Sequence, residues 1–249
     1  MLRRIIFFIH RFEVTMSGLG KTYWPEIIST LRNIIPIYNR VNRVISLGKD
    51  ADYRRMCLNK QLKIGDRILD AGSGFGNMSK LARNELQGDL EVILYDPIIE
   101  MLQIGRSLDN KPDSSIELSS GIFEYLPFSN NIFDAVLCGY SLRDAIHLKG
   151  AIIEFHRILK PNGRLLIVDL GKPDQAFLEA LVSMYLRYVL GFLAFAVAGS
   201  KGLGFRALYG TYKRWPKNSE LKKMLEKEFS EVQFRKYMFG GAVIIAAVK

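Results

Sequence analysis

The segment Asp70-Ala71-Gly72-Ser73-Gly74-Phe75-Gly76 constrains this chain more than any other. It follows a short apolar run, Arg67–Ala71, and precedes Asn77–Asn84, where apolar residues return at helical spacing. A glycine-rich turn between a strand and a helix is the ligand-binding turn of a doubly wound sheet, whose ligands sit beyond the carboxyl ends of the strands. Glycines there let the backbone approach the ligand and adopt positive φ. The spacing narrows the ligand. A dinucleotide fingerprint puts its third glycine three residues after the second, at position 77, but that residue is Asn77 and the glycine stands at 76. Asp70 precedes the turn; its charge opposes a pyrophosphate and suits a ligand bearing an ammonium and a sulfonium. The full P-loop spacing is absent.

The rest of the chain supplies the sheet. Leu90–Tyr95, Ser115–Leu118, Phe133–Gly139 and Arg164–Leu170 read as further strands, separated by helices from Ile98 to about Gly105 and from about His147 to Leu159. Tyr23–Ile35 and Arg40–Cys57 have helical spacing ahead of the first strand, and Lys160-Pro161-Asn162-Gly163 is a tight turn. Strands alternating with crossover helices predict a mainly parallel sheet covered on both faces. Glu231–Met238 and Ala242–Val248, joined through Gly240-Gly241, read as a hairpin closing one edge. The fold class is therefore α/β, a doubly wound, mainly parallel seven-stranded sheet with an antiparallel C-terminal hairpin. Asp96 closes the second strand, 24 residues after Gly72. A carboxylate there can accept both hydroxyls of a ribose, or cap the next helix.

Composition excludes several classes. Two cysteines, Cys57 and Cys138, cannot form a disulfide framework or a cysteine zinc cluster, and three dispersed histidines argue against any metal. The net charge of +10 points to an anionic partner. From Ser200 to Lys249 there are 11 Lys/Arg against 4 Asp/Glu, a net +7, interleaved with aromatic and aliphatic residues, which predicts folded structure with one basic face. No RRM, KH or arginine-rich signature accompanies it, so no nucleic-acid partner is expected. Ala180–Ser200 is very apolar but interrupted at Arg187, which leaves 13 uncharged residues. That is roughly 20 Å of helix against a bilayer core of roughly 30 Å. The expectation is a helix that lies on a membrane, covers an apolar pocket or packs in the core, and does not span. Met1–Phe12 (MLRRIIFFIHRF) lacks the length and cleavage site of a signal peptide; an amphipathic anchor, an import presequence and a disordered extension all remain open.

Taken together, Asp70–Gly76 and Asp96 resemble the class I S-adenosylmethionine (SAM)-dependent methyltransferases. Four further segments narrow the resemblance to the C-methyltransferases of ubiquinone and menaquinone biosynthesis, over roughly residues 32–249. Tyr38-Asn39-Arg40-Val41-Asn42, with Ser46-Leu47-Gly48 and Tyr53-Arg54-Arg55, is similar to the family's N-terminal signature. Leu126-Pro127-Phe128 with Phe133-Asp134-Ala135-Val136 is similar to its entry into strand four. Tyr140-Ser141-Leu142-Arg143-Asp144 resembles its Phe-Gly-Leu/Ile-Arg-Asn. Arg157–Arg164 followed by Val168–Pro173 resembles its Arg-Val-Leu-Lys-Pro-Gly-Gly and Leu-Glu-Phe-Ser-Lys-Pro. The chain reads as a divergent member: Ile122 stands where the family has an Asp that would hold the adenine amino group, Asn39 replaces Asp, and Asp144 replaces Asn. Adenine then depends on the Phe123 backbone, on Glu124 or on apolar packing.

The resemblance implies SAM as cofactor, held by Asp70, Gly72, Ser73, Gly74, Gly76, Asp96, Pro97, Ile122, Phe123 and Tyr140, and no metal. It implies Arg143, Asp144 and Tyr38 at the reacting centre: Arg143 steadies a phenolate, and Asp144 or a water removes the proton. The competing reading of Arg143 is an ion pair that holds the loop after strand four, with Asp144 as a candidate partner. The expected substrate is a lipid-soluble, polyprenylated quinol, with peripheral membrane contact, cytoplasmic or mitochondrial-matrix placement, and a homodimer left open. Residues 1–29 read as an N-terminal extension, and 30–249 as the methyltransferase domain, with an apolar helical insertion near 176–215. Two alternatives stay open: a SAM enzyme acting on another lipid such as a phospholipid amine, and a non-catalytic or RNA-directed protein on the same fold.

Overall fold

A computed structural model describes residues 18–87, 89–107 and 116–249. The Met1–Phe12 segment lies outside the described residues.

Helices α1 (Gly20–Ile34), α2 (Tyr38–Ile45) and α3 (Asp50–Leu58) lead into β1 (Arg67–Ala71). There follow α4 (Asn77–Glu85), β2 (Glu91–Tyr95), α5 (Ile99–Ser107), β3 (Ile116–Ser119), β4 (Phe133–Gly139), α6 (Leu148–Ile158) and β5 (Leu159–Leu170). The chain closes with α7 (Ala176–Met184), α8 (Leu190–Ala198), α9 (Ala207–Arg214), α10 (Asn218–Glu226), β6 (Glu231–Tyr237) and β7 (Ala242–Val248). Among the described residues seven strands form one sheet in the order β3-β2-β1-β4-β5-β7-β6. The first five are parallel, and β7 runs antiparallel to both β5 and β6. The strand order reverses between β1 and β4, which makes the space above their carboxyl ends the ligand crevice of this fold.

The sheet is held by burial on both faces. Along β4, Val136 and Cys138 face one core with Phe155, Leu221 and Leu225 of α6 and α10. Ala135 and Leu137 face the other, with Cys57, Met78 and Leu102 of α3, α4 and α5. This alternation is the period of two that a strand imposes. It explains why the central strands read as unbroken apolar runs.

Strands β1, β4 and β7 have the bounds expected from sequence. The hairpin strand β6 ends at Tyr237, and Met238 joins the turn, where it and Phe239 take φ of +49° and +54°. At the Lys160–Gly163 turn Asn162 takes φ +63°, and the register with β4 jumps from Phe133–Leu159 to Ala135–Arg164.

Three expectations are corrected. The helix expected over Arg40–Cys57 is two helices, because Leu47 and Gly48 turn the chain with φ of +52° and +76°. The first helix starts at Gly20 and so crosses the boundary placed at residue 29; it is fastened by Leu19 N–H to Ala145 O at 2.8 Å and Gly20 N–H to Ile146 O at 3.0 Å. The helix is not broken at Arg187: it runs from Ala176 to Ala198, where Gly199 at φ +60° turns the chain and Gly202 packs back on Ala194; by length and composition alone the helical segment is apolar enough to cross a membrane. The guanidinium is accommodated over the rings of Tyr188 and Tyr209, at 5.2 and 5.9 Å. On its inner side this segment buries Leu186, Leu190 and Ala194 against Ile34 and Val41 of α1 and α2.

The C-terminal charge is also more dispersed than one basic face. Arg214 stacks on the Tyr23 ring at 3.8 Å, Lys236 pairs with Asp174 at 2.7 Å, and Lys249 donates to the carbonyls of His156 and Leu159 at 2.7 and 2.8 Å.

Candidate active site

The glycine turn and the segment after β4 face each other across the crevice. Gly72, Gly74 and Gly76 take φ of +65°, +52° and +71°. A Cβ at Gly72 would collide with the Ser141 side chain and the Phe123 ring, so only glycine leaves this floor open. Gly76 does not line the cleft; it starts α4 and packs closely on Leu94. Asp70 lines the cleft, but its Oδ2 accepts from Ser79 N–H at 3.0 Å and Ser79 Oγ–H at 2.7 Å, tying β1 to the first turn of α4. Burial raises its pKa.

Asp96 takes the capping role open to it from sequence and keeps acceptor capacity for the other. Its Oδ1 accepts from Ile98 N–H at 2.8 Å at the start of α5, and its Oδ2 accepts from Gly74 N–H at 2.9 Å. Each carboxylate oxygen has a second lone pair for a ribose hydroxyl. Burial pushes its pKa up to about 6, against the two backbone donors. Beyond Asp96 the crevice continues between Trp24 and Ile28 of α1 and the Pro97, Ile122 and Phe123 wall. Glu124 also borders it: Oε1 accepts from His147 N–H at 2.8 Å, and buried Oε2 has no partner in the chain. The three substitutes expected for the missing Asp at 122, namely the Phe123 backbone, Glu124 and apolar packing, therefore meet at one end of the cleft.

These residues fit SAM. The open glycine floor, the Asp96 lone pairs, the mainly apolar far end and the buried, unpartnered Ser73 Oγ on the cleft wall are what its parts require.

Next to the cleft lies an apolar cavity of about 290 Å³. Leu178, Leu181, Val182, Leu186 and Leu190 of the insertion form one side, and Asn42, Arg54, Tyr140 and Arg143 form the end nearest the cofactor cleft. Tyr140 and Arg54 belong to both spaces.

Arg143 is 9% exposed. Its main partner is Asp169 of β5, Nη1 to Oδ1 at 2.6 Å, while Asp144 is more distant, Nε to Oδ1 at 3.9 Å. The ion pair expected with Asp144 is thus secondary to one with Asp169, a residue the sequence reading did not single out. Burial works against the Arg143 charge, but Asp169 and then Asp144 outweigh it and raise the pKa. Arg143 Nε is buried with no hydrogen-bond partner and the side chain lines the apolar cavity, so the ion pair with Asp169 leaves part of the guanidinium free of hydrogen bonds. Asp144 lines the cofactor cleft, and burial lifts its pKa to about 6 despite Arg143. Tyr38 packs edge-on to Phe75 at 6.0 Å and near Phe205 at 6.2 Å, which couples the glycine turn to the insertion.

Other residues are structural. Arg40 and Arg43 are exposed. His156 packs edge-on against Phe229 at 5.4 Å, and Cys138 is fully buried. Lys172 donates to the carbonyls of Lys213 and Trp215 at 3.2 and 3.1 Å. Among the described residues there is no cluster of metal-ligating side chains.

Comparison with known proteins agrees with this geometry. A family model described as the ubiE/COQ5 methyltransferase family matches residues 20–249. The demethylmenaquinone methyltransferase of Bacteroides fragilis is 30% identical over 222 residues, 87% of this chain and 89% of that protein. The ubiquinone/menaquinone biosynthesis C-methyltransferase UbiE of Coxiella burnetii is 29% identical over 212 residues, 84% of each chain. Among solved structures, a SAM-dependent methyltransferase of Aquifex aeolicus superposes with a TM-score of 0.55 at 15% identity, over 84% of this chain and 97% of its own. One from Thermotoga maritima gives 0.58 at 18%, over 88% and 99%. The glycine floor, Asp96 beside it and the seven-stranded sheet agree with that lineage: the chain is a SAM-dependent methyltransferase and a member of the ubiE/COQ5 methyltransferase family.

Proposed function

We propose that the chain methylates a ring carbon of a demethylated, polyprenylated quinol in menaquinone- or ubiquinone-type biosynthesis, at a membrane surface. The observation that carries this reading is the apolar cavity with a buried guanidinium at its inner end, adjoining the cofactor cleft. An aromatic carbon attacks only when its ring is electron-rich, and loss of a hydroxyl proton makes it so. SAM, when bound, supplies an electrophilic methyl group on a sulfonium that leaves readily. The protein's tasks are alignment and charge.

Arg143 Nε–H, which has no hydrogen-bond partner within the chain, meets the phenolate oxygen. Asp144, poised near pH 6, takes the hydroxyl proton directly or through a water. Tyr38 and Asn42 hold the α2 side, and Leu178, Leu181 and Val182 sheath the tail.

The cavity rim supports the membrane part of the reading. Leu47, Leu181, Met238 and Phe239 line the cavity and are exposed, Phe239 at 86%. Phe177, Met184, Tyr188, Phe192 and Phe195 of the apolar helical segment are exposed as well. Exposed apolar side chains on a segment that also lines a cavity for a lipid tail fit a bilayer, and exposed Lys49 and Arg187 favour anionic headgroups.

The test is methyl transfer from labelled SAM to demethylated quinols and, separately, to membrane lipid extract, with products identified by mass. The expected product is a C-methylated quinone, and Arg143→Ala abolishes it. Label in phospholipid amines alone, or unchanged turnover in Arg143→Ala, overturns the reading.

A further inference from the structure

The established chemistry leaves Arg54 without a task. It lies in α3, is 5% exposed, and forms part of the wall shared by the cofactor cleft and the apolar cavity. Its Nη1 donates to Asp50 Oδ2 at 2.8 Å, its guanidinium stands 4.8 Å over the Tyr140 ring, and its Nε is buried with no partner in the chain. A buried donor left unpaired is costly, and a charged one more so, unless a ligand completes it.

The charge balance of the cleft names the ligand group. Asp70, Asp96 and Asp144 line it, and among the described residues that do so Arg54 is the one cation. SAM carries an ammonium, a sulfonium and a carboxylate. Acids can answer the first two; among the charged side chains of the cleft only Arg54 answers the third.

Position agrees. Asp96 follows β2 and Arg54 Nε sits 3.6 Å from the place a Cβ would take on Gly139, at the end of β4. These strands flank β1 on opposite sides, so their ends stand about 10 Å apart. That is about the reach from a ribose, through sulfur, to the far end of an amino acid. We infer that Arg54 binds the α-carboxylate of SAM and so fixes the amino-acid end of the cofactor against the acceptor cavity. Guanidinium is suited to this, because its planar fork meets both carboxylate oxygens. The inference depends on the methyl donor alone and stands whatever the acceptor is.

The test is calorimetric binding to the full chain, with SAM and with decarboxylated SAM (S-adenosyl-3-methylthiopropylamine). Wild type is expected to bind the decarboxylated compound about 10- to 100-fold more weakly, the loss of one charge-assisted hydrogen-bonded pair. Arg54→Gln should lose the same factor for SAM and nothing further for the decarboxylated compound, and Arg54→Lys should recover part of it. Because Arg54→Gln strands Asp50, the double variant Asp50→Asn/Arg54→Gln is measured beside it, with melting curves for both. Equal affinity of wild type for the two compounds refutes the inference without any variant. Equal losses for both compounds in Arg54→Gln mark a structural role and refute it. Unchanged SAM binding with a raised KM for a quinol acceptor assigns Arg54 to the acceptor and also refutes it.

Discussion

Asp169 offers the sharpest test of how the site is built. It lies in β5 with no solvent exposure, and Oδ1 accepts from Arg143 Nη1 at 2.6 Å and from Leu170 N–H at 2.7 Å. Asp169→Asn keeps the shape and one acceptor oxygen for the backbone but removes the charge. Arg143 is then a buried cation whose remaining carboxylate, Asp144, is 3.9 Å from its Nε. Breaking a buried ion pair by neutralising one partner costs about 3–5 kcal/mol. A chain of this length loses roughly 2–4 °C of Tm per kcal/mol, so the melting temperature should fall by about 6–20 °C. Asp144 limits the loss, which places the expectation nearer 6 °C. Thermal melts of Asp169→Asn, Arg143→Met and Arg143→Met/Asp169→Asn close a double-mutant cycle, with a coupling of at least about 2 kcal/mol expected. SAM affinity should change little, since Asp169 does not line the cofactor cleft. A melting temperature within about 2 °C of wild type, or additive single effects, refutes the claim that this pair positions Arg143.

Further outcomes follow from Asp144 and the apolar rim. With its pKa near 6, Asp144 as the base gives a kcat that rises with pH to a plateau above about 6 at saturating SAM, and Asp144→Asn removes that acidic limb; a limb that persists assigns the base elsewhere. The same raised pKa means the folded state holds this proton more tightly than the unfolded chain, so the group's contribution to stability is fully present below its ordinary value of 3.8 and is lost as pH rises through about 6. Phe177→Ser/Phe192→Ser/Phe195→Ser should cut cosedimentation with anionic vesicles at least about 10-fold, given about 1.5–3 kcal/mol for a fully buried Phe, and leave turnover of a short-chain soluble quinol unchanged; undiminished vesicle binding refutes this surface as the docking face.

What sequence revealed of this molecule followed local rules. The bounds of β1, β4 and β7 were legible because each is a buried apolar run ended by glycine or by a change of period. The break at Leu47 was not, because a leucine at φ +52° carries no mark of its conformation, and only Gly48 beside it hints at a turn. Asp70, Asp96 and the glycines were legible because a strand, a glycine turn and a helix follow one another there at a characteristic spacing. Asp169 and Arg54 were missed for a shared reason: their importance lies in burial, which depends on elements distant in sequence. A weak signal existed for each. Asp169 is a charge inside an apolar strand, and Arg54 falls on the helix face of Cys57 and Leu58, three and four residues on, both of which are buried.

The end of β4 shows why donor and acceptor chemistry can share so short a segment. Tyr140 takes φ +63°, a conformation that costs a non-glycine residue about 1–2 kcal/mol. It persists because Tyr140 N–H donates to Val168 O at 2.6 Å and the ring is covered by Arg54. In this twist Tyr140 borders both cleft and cavity, and the next residues divide: Ser141 Oγ–H donates to Ala71 O at 2.9 Å beside the glycine floor, while Arg143 lines the cavity and Asp144 the cleft. Backbone strain at one residue thus sets a five-residue stretch across both spaces. A glycine at 140 would relieve the strain but remove the ring that borders both spaces and the surface on which Arg54 rests, so the strained tyrosine is what keeps the cofactor cleft and the apolar cavity adjoining at one wall.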